Sequence, residues 1–541
     1  MGESFFGINI AIRGLFTAQR GLDVVNHNIN NANTPGFSRQ VAVQAAARPM
    51  ALSDGTGMMG TGADVIGVQR VRDEYLDFKY WSENITMGEW SAKREVLGDI
   101  EVTFNEPSKS GFTTILNDFY NSLQELGKDP SSGAVRELVK QKGVTVAKYF
   151  NSVAAHFEKL QEDVNYRIKT KVEEVNSYAT QIQQLNRQIY ISELDGNTAN
   201  DLRDQRTLLV DKMSKIVNIE ANEVVAGKLP NGKDDRHFVL TISGKTIVDH
   251  FDVSKLAVVQ RSANQKVNVE DVDGLYEVQW ADGNSLEVKG GELRGYLDMR
   301  DGNEGEEGPN HIASPMYKGI PYYQKKMNEF VRTFAMAFNE GFINANGDST
   351  ITDNENLAGH ADAYSLTGKT GIRFFTYIGT NKQEISSDTF LGTANENNPD
   401  EVYALYANIT AKNFSVSSDV MTDYNNIAVS GKAGEAGNID VLNSLLDMRH
   451  NPDMFAEGAP EDFMKSLVAT MGIDSQQAQR FETNQDVIVK QIATRRLSDS
   501  GVSMNEEMAN MIKFQHAYNA SAKMIQTMSE VYDTLINKLF V

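Results

Sequence analysis

Residues able to carry chemistry are few and scattered along this chain. Histidines stand at 27, 156, 237, 250, 311, 360, 450 and 516, with no two of them three or four residues apart. A helical zinc pair needs that spacing to bring two imidazoles onto one face, so exposed or locally bonded histidines are expected. Asp201 and Asp204 sit three apart around LRDQR and could form a carboxylate pair, but in an amphipathic helix the pattern reads as a solvated face with intrahelical ion pairs. Asn344, Asn346, Asp348 and Glu355 fall at positions 1, 3, 5 and 12 of a calcium-loop register that lacks its glycine after Asp348, so an Asx-rich turn is expected. Gly60 and Gly62 read as turn punctuation, because no strand-loop-helix frame surrounds them.

No cysteine is present, which removes disulfides, thiolate metal sites and cysteine nucleophiles together. Neither a Gly-x-Ser-x-Gly elbow nor a Walker loop occurs. The reading is therefore of a chain without catalytic residues, cofactor or metal, whose activity lies in its surfaces. A net charge of −21 over 541 residues argues against nucleic-acid wrapping, which needs clustered Lys and Arg. No apolar run is long enough to insert in a membrane. The amino terminus, MGESFFGINIAIRGLFTAQRG, lacks the basic and apolar regions of a cleaved signal peptide.

The strongest patterns are at the two ends. Ile8, Leu15, Leu22 and Ile29 recur every seven residues with Ala11, Ala18 and Val25 between them, a helix with one narrow seam. Near the carboxyl end, Met504, Met511, Tyr518, Ile525, Tyr532 and Leu539 form one series, and Phe514, Met528 and Leu535 lie on a second that Glu507 and Ser521 interrupt. Two such helices can pair with each other. Residues 1–33 carry only Glu3, Arg13, Arg20 and Asp23 as charges, so the outer face of the pair suits packing against neighbouring subunits.

Between the ends, the stretch from 41 to 71 reads as short strands and turns. The block from Val146 to Leu194 reads as a long amphipathic rod closed by Asp195-Gly196-Asn197, and Leu202–Ile219 as a further helix. Past Glu220, alternating β-branched runs bounded by Asn231-Gly232 and Ser243-Gly244 signal hairpins. Helix returns over Leu293–Asp298, Tyr322–Asn344 and after Pro460, while Gly347–Gly437 reads as turns and short strands. The fold class is α+β and multidomain, with discontinuous, coiled-coil-like helical domains built from both ends and a β-rich region inserted between. Expected domains are 1–45 with 501–541, 46–219 with 440–500, and 220–439.

NHNINNANTPGFSRQ (26–40), GTGADVIGVQRVRDEYLD (60–77) and SGVSMNEEMANMIKFQHAYNASAKMIQTMSEVYDTLINKL (500–539) together resemble the axial proteins of the bacterial flagellum. LRDQRTLLVDKMSKIVNI (202–219), GELRGYLDMRD (291–301) and FVRTFAMAFNEGFINANG (330–347) are similar to segments of the flagellar hook-associated protein 1 (FlgK) family. One departure is Asn505-Glu506-Glu507, where the family usually has Asp-Glu-Glu; either residue can cap a helix. The resemblance implies a structural junction protein between hook and filament. It would form a ring of like subunits in contact with hook protein and with the second hook–filament junction protein. It would be exported by the flagellar type III route to the cell exterior, with an export chaperone on the carboxyl-terminal helix. A secreted surface adhesin or a hydrolase carried on the β-rich region is the alternative.

Five asparagines among residues 26–33 precede Thr34-Pro35-Gly36-Phe37. Proline pushes Thr34 out of the α region, and Pro-Gly favours a turn, so the first helix must stop close to Asn33. Asn30, Asn31, Asn33, Thr34, Pro35, Gly36 and Phe37 are the expected hinge between the terminal helix pair and the body.

Overall fold

Helical spacing dominates both flanks, and long helices form there. The computed structural model describes residues 6–51, 57–104, 111–341, 358–395 and 398–538. Helix α1 (Phe6–Asn30) leads into a hairpin of β1 (Gln40–Ala46), β2 (Met50–Ala51), β3 (Met58–Met59) and β4 (Ala63–Arg70). Strands β1 and β4 pair antiparallel with Gln40 opposite Arg70, and β2 and β3 pair towards the tip. The register shifts at Val43/Gln44, where the partners step from Gly67 to Val65 and leave Ile66 as the extra residue of a bulge.

Four helices follow: α2 (Glu74–Phe104), α3 (Phe112–Lys128), α4 (Gly133–Glu193) and α5 (Asn200–Ile216). With 61 residues, α4 is a rod of about 90 Å at 1.5 Å rise per residue. Its inward stripe, from Phe157 through Val164, Ile168, Val172, Val175 and Ala179 to Ile182, is buried at helical spacing.

Against the later half of α4 lies an antiparallel sheet in chain order, β5 (Ile219–Lys228), β6 (Asp234–Ile242), β7 (Lys245–Asp249) and β8 (Asp252–Val253). The β6–β7 turn is Ser243-Gly244, both residues at positive φ, as a two-residue hairpin with right-handed twist demands. A two-stranded ribbon of β9 (Leu256–Gln260) and β10 (Tyr276–Trp280) continues along the rod. Side-chain amides of α4 join helix to strands: Asn176 bonds both the N–H and the C=O of Leu256 at 2.8 Å, and Asn165 accepts from the Tyr276 N–H at 2.8 Å.

The middle of the chain also holds α6 (Gly291–Asp301) and α7 (Ile320–Glu340), the latter ended by Gly341 in the left-handed region at φ 73°. Next come β11 (Phe375–Tyr377), α8 (Ser387–Leu391), α9 (Pro399–Tyr406), β12 (Phe414–Val416), α10 (Ser418–Thr422) and α11 (Asp440–Asp447). Where turns and short strands are expected, the described residues thus carry a single three-residue strand pair amid turns and short helices. The reason lies in packing: Phe374, Phe375 and Phe414 turn inward onto Phe119, Phe150, Phe334 and Phe338, so aromatic contact organises this stretch rather than a sheet. The calcium-loop register, Asn344–Glu355, lies outside the described residues.

Helix α12 (Pro460–Ser500) returns along α2, stacking Phe481 on Trp90 with ring centroids 4.5 Å apart. Helix α13 (Met504–Asp533) then runs antiparallel to α1, so the two flanks of the chain meet twice. No helix among the described residues is long and apolar enough to cross a membrane.

Candidate functional site

The α1–α13 pair is built on a ladder of small residues. A Cβ placed on Gly7 would sit 2.8 Å from Met528 Cε, one on Gly14 2.9 Å from Ser521 Oγ, and one on Gly21 2.7 Å from the Phe514 ring. Each seven-residue step along α1 is a seven-residue step back along α13, and the next rung joins Asn28 to Glu507 through Nδ2–H···Oε2 at 3.2 Å. Glycine inside a helix costs about 1 kcal/mol relative to alanine. Here it lets two backbones approach where any side chain would hold them apart. Ser521 and Glu507, which interrupt the apolar series, are therefore seam positions matched to Gly14 and Asn28.

Residues proposed from apolar spacing flank this ladder. On α1, Ala11, Ala18 and Val25 are buried, whereas Ile8, Leu15, Leu22 and Ile29 are half-buried. On α13, Met511, Phe514, Tyr518, Ile525, Met528 and Tyr532 are half-buried, Leu535 beyond it is exposed, and Leu539 lies outside the described residues. The glycine series was not found from the sequence because glycine adds nothing to an apolar count. Its signal was the recurrence of Gly7, Gly14 and Gly21 at the heptad interval.

Below the pair, α1 ends as its asparagines take over the hydrogen bonding. Asn31 Nδ2 donates to the His27 carbonyl at 3.0 Å, Asn30 donates to Asn26, and Thr34 Oγ1 donates to Asn31 Oδ1 at 3.2 Å. Asn33, Thr34, Pro35 and Gly36 are exposed; Gly36 has φ 81° and its backbone rests on Leu208 of α5, while Phe37 meets His27 edge to face at 5.4 Å. This loop borders a cleft of about 380 Å³ whose far wall is Arg72, Tyr80, Asp211, Arg496 and Leu497.

The next three residues are each tied to a different element. Ser38 donates through its N–H and hydroxyl to Asp204 of α5 at 2.7 and 2.8 Å. Arg39 N–H donates to the Ser500 carbonyl that closes α12 at 2.7 Å, and its guanidinium pairs with Glu506 of α13. The Gln40 backbone exchanges two bonds of 2.9 Å with the buried amide of Asn28, as a neighbouring strand would. Of the asparagines in the opening cluster, Asn28 is thus the one that joins helix, hairpin and α13 together.

Asp204 overturns the expected solvated face, while Asp201 stays exposed but bonds to other elements rather than along its own helix. Asp204 is buried and also accepts from Arg70 at 2.8 Å, and Asp201 accepts from Gln40 Nε2 at 2.6 Å and faces His27 at 3.2 Å. Arg203 forks onto Glu193 at the end of α4, and Arg206 pairs with Glu223 on β5, so the charges of α5 point to other elements rather than to one another. The cause is position: α5 is packed against α2, α4 and α6 while β5 continues from its end. Behind Asp204, Arg72 forks onto Asp77 of α2 at 2.7 and 2.9 Å, and Arg496 of α12 bridges Asp77 and Asp211. Burial lifts the Asp211 carboxyl above its ordinary range, against the pull of Arg496 and the Trp81 N–H.

Among the histidines, His360 is fully buried, with Nδ1 on the Ile372 carbonyl at 2.7 Å and Nε2 accepting from the Ala428 N–H at 2.9 Å. Burial holds it neutral, pushed down to about 4. Arranged this way, the junction beneath the helix pair joins surfaces, its polar groups bonded across α1, the hairpin, α5, α12 and α13.

Comparison with known proteins agrees with this arrangement. The family described as "Flagellar hook-associated protein FlgK helical domain" matches residues 97–352. The ends match flagellar basal body rod families, the FlgEFG carboxyl-terminal family over 493–539 and the rod protein family over 8–37. Flagellar hook-associated protein 1 of Bacillus subtilis is 29% identical, covering 100% of this chain and 99% of its own length. Its Escherichia coli counterpart is 27% identical over 98% of this chain and 99% of its own. In fold, the flagellar hook junction protein FlgK of Burkholderia pseudomallei is similar at a TM-score of 0.56 and 13% identity, covering 79% of this chain and 100% of that one. With both ends and the helical interior matched in order, and relatives aligned along the whole length, the chain is similar from end to end to the flagellar hook-associated protein 1 (FlgK) family.

Proposed function

We propose that the chain is a structural subunit joining hook to filament in the bacterial flagellum, set in a ring of identical copies through its paired terminal helices. The observation that carries this reading is the outer face of the pair. Of the 30 residues of α13 only Glu507 is buried, and Phe16, Met508, Ile512, Met524 and Val531 are exposed apolar residues on the two helices. Each such side chain covered by a neighbour contributes up to about 1.5–3 kcal/mol, so association supplies the burial that an isolated pair lacks.

The same face supports the remaining partners. Before assembly, an export chaperone covers α13; after export to the cell exterior, the subunit meets hook protein on one side and the second junction protein on the other. Catalysis has no part in this role. The seam residues of α1 and α13, from Ile8 to Tyr532, hold the pair in register, and residues 30–37 let it adjust against the body.

The test replaces Phe16 and Ile512 with serine in cells otherwise lacking the chain. Hooks without filaments in electron micrographs are expected, with the purified variant melting within about 0.5 kcal/mol of wild type, as exposed substitutions do. Filaments of normal number and length on these cells would refute the reading.

A further inference from the structure

Far from the helix pair, on the β6–β7 hairpin, three potential ligands converge. Asp235 and His237 alternate along β6 and so share a face, and His250 follows β7 directly across the hairpin. One donor atom from each lies within 4.8 Å of the others, and His237 Nε2 stands 3.3 Å from Asp235 Oδ2.

His250 is the unusual member. Its backbone is held from both sides, the N–H on the Phe238 carbonyl at 3.0 Å and the carbonyl by Asn186 of α4 at 2.9 Å, in the left-handed region at φ 49°. Its ring is buried, yet neither Nδ1 nor Nε2 has a hydrogen-bond partner. A buried imidazole left unbonded at both nitrogens is an uncompensated cost that calls for a ligand.

We propose that Asp235, His237 and His250 form a site for a divalent first-row transition metal, with zinc the best fit, that staples β6 to the end of β7. Two imidazole nitrogens and one carboxylate oxygen, with water in the fourth position, suit zinc at ligand distances of about 2.0–2.2 Å. Calcium and magnesium, which take six or more oxygens, are poorly served. The side chains of Asp235 and His237 are 23% and 34% exposed, so the ion enters from solvent with His250 behind it. The imidazoles now lie face to face, centroids 4.0 Å apart at 7°, and the more exposed His237 ring turns to bring its nitrogen onto the ion. Arg206 is close by on the Phe238 ring, but its charge is matched by Glu223.

The experiment titrates zinc chloride alone into the full chain, stripped with chelator, by calorimetry, and repeats it with cobalt(II) to read the absorption bands of a nitrogen–oxygen site. One zinc per chain is expected. His237→Ala and Asp235→Asn should each weaken binding roughly 100-fold. His250→Asn, in which asparagine tolerates the left-handed backbone, should do the same with an unchanged circular dichroism spectrum. If it fails to fold, the His237→Ala result decides. Wild-type affinity in His237→Ala, absence of saturable zinc binding, or equal stabilisation by calcium chloride would overturn the site.

Discussion

Helices α4 and α13 both announce themselves in the sequence by apolar residues at helical spacing, yet they finish with opposite surfaces. Along α4 the stripe is buried from Val139 to Ile189, whereas along α13 the single buried residue is an acid. Periodicity states that a face will be covered; it does not state by what. The stripe of α4 is covered within the chain, whereas the apolar residues of α13 stay half-buried or exposed.

Four substitutions separate the two regions. The largest effect is expected for Phe330→Ala, because Phe330 lies against Phe112, Phe150, Phe334, Phe455 and Phe463 at centroid distances of 5.1 to 5.7 Å. Removing that ring should lower the stability of the body by about 3–5 kcal/mol in denaturant unfolding. A smaller loss would mean that the aromatic cluster repacks.

Asp204→Ala leaves Arg70 and both Ser38 donors unmatched in a buried place, and should cost about 3 kcal/mol. Hydrogen exchange should also quicken at Ser38 to Gln40 before it does in α4. Equal quickening in both would show that junction and body unfold as one.

The third test uses acid. Burial alone would lift the Asp301 carboxyl, but Arg300 and Arg261 hold it at about 2, below its ordinary 3.8. A depressed carboxylate stabilises the fold fully above about pH 4, and that contribution, about 2 kcal/mol, is lost as the pH falls towards 2. The melting temperature of the body should therefore drop more steeply over this window in wild type than in Asp301→Asn. Parallel curves would remove Asp301 from the account.

Gly21→Leu has the smallest expected effect on the body and the sharpest on the pair. Its side chain would enter the Phe514 ring, so α1 and α13 must separate, at a local cost of about 1–3 kcal/mol. The body transition should stay in place while α13 loses protection from exchange; an unchanged α13 would show that the ladder tolerates a wider gap.

How much of this was legible follows from what each signal depends on. The α4 rod, α5, α6 and the hairpin at Ser243-Gly244 were readable because periodicity and turn residues are local. So was the end of α1, where Pro35 and Gly36 act on their immediate neighbours. The buried role of Asp204 was not, since Ser38 and Arg70 are distant in sequence and only folding brings them together. Strand alternation places Asp235 with His237, but nothing local tells which residue of the next strand will face them. The stretch after 358 was readable as turns and short strands, with Phe375 and Phe414 standing in the one strand pair, but its short helices were not, since packing onto the aromatic cluster rather than local propensity sets them.

The triple tie at Ser38, Arg39 and Gln40 has a mechanical consequence. A pull along α1 reaches two consecutive backbone units fastened to α5 and to the end of α12, while Asn28 ties the helix itself to Gln40 across the loop, so the load divides among short bonds on both sides of that loop. Side-chain bonds of about 2.7–2.9 Å loaded in parallel make a stiff coupling from short parts. Force arriving through the slender pair would be handed directly to the long helices of the body, with the exposed loop above the tie left to flex.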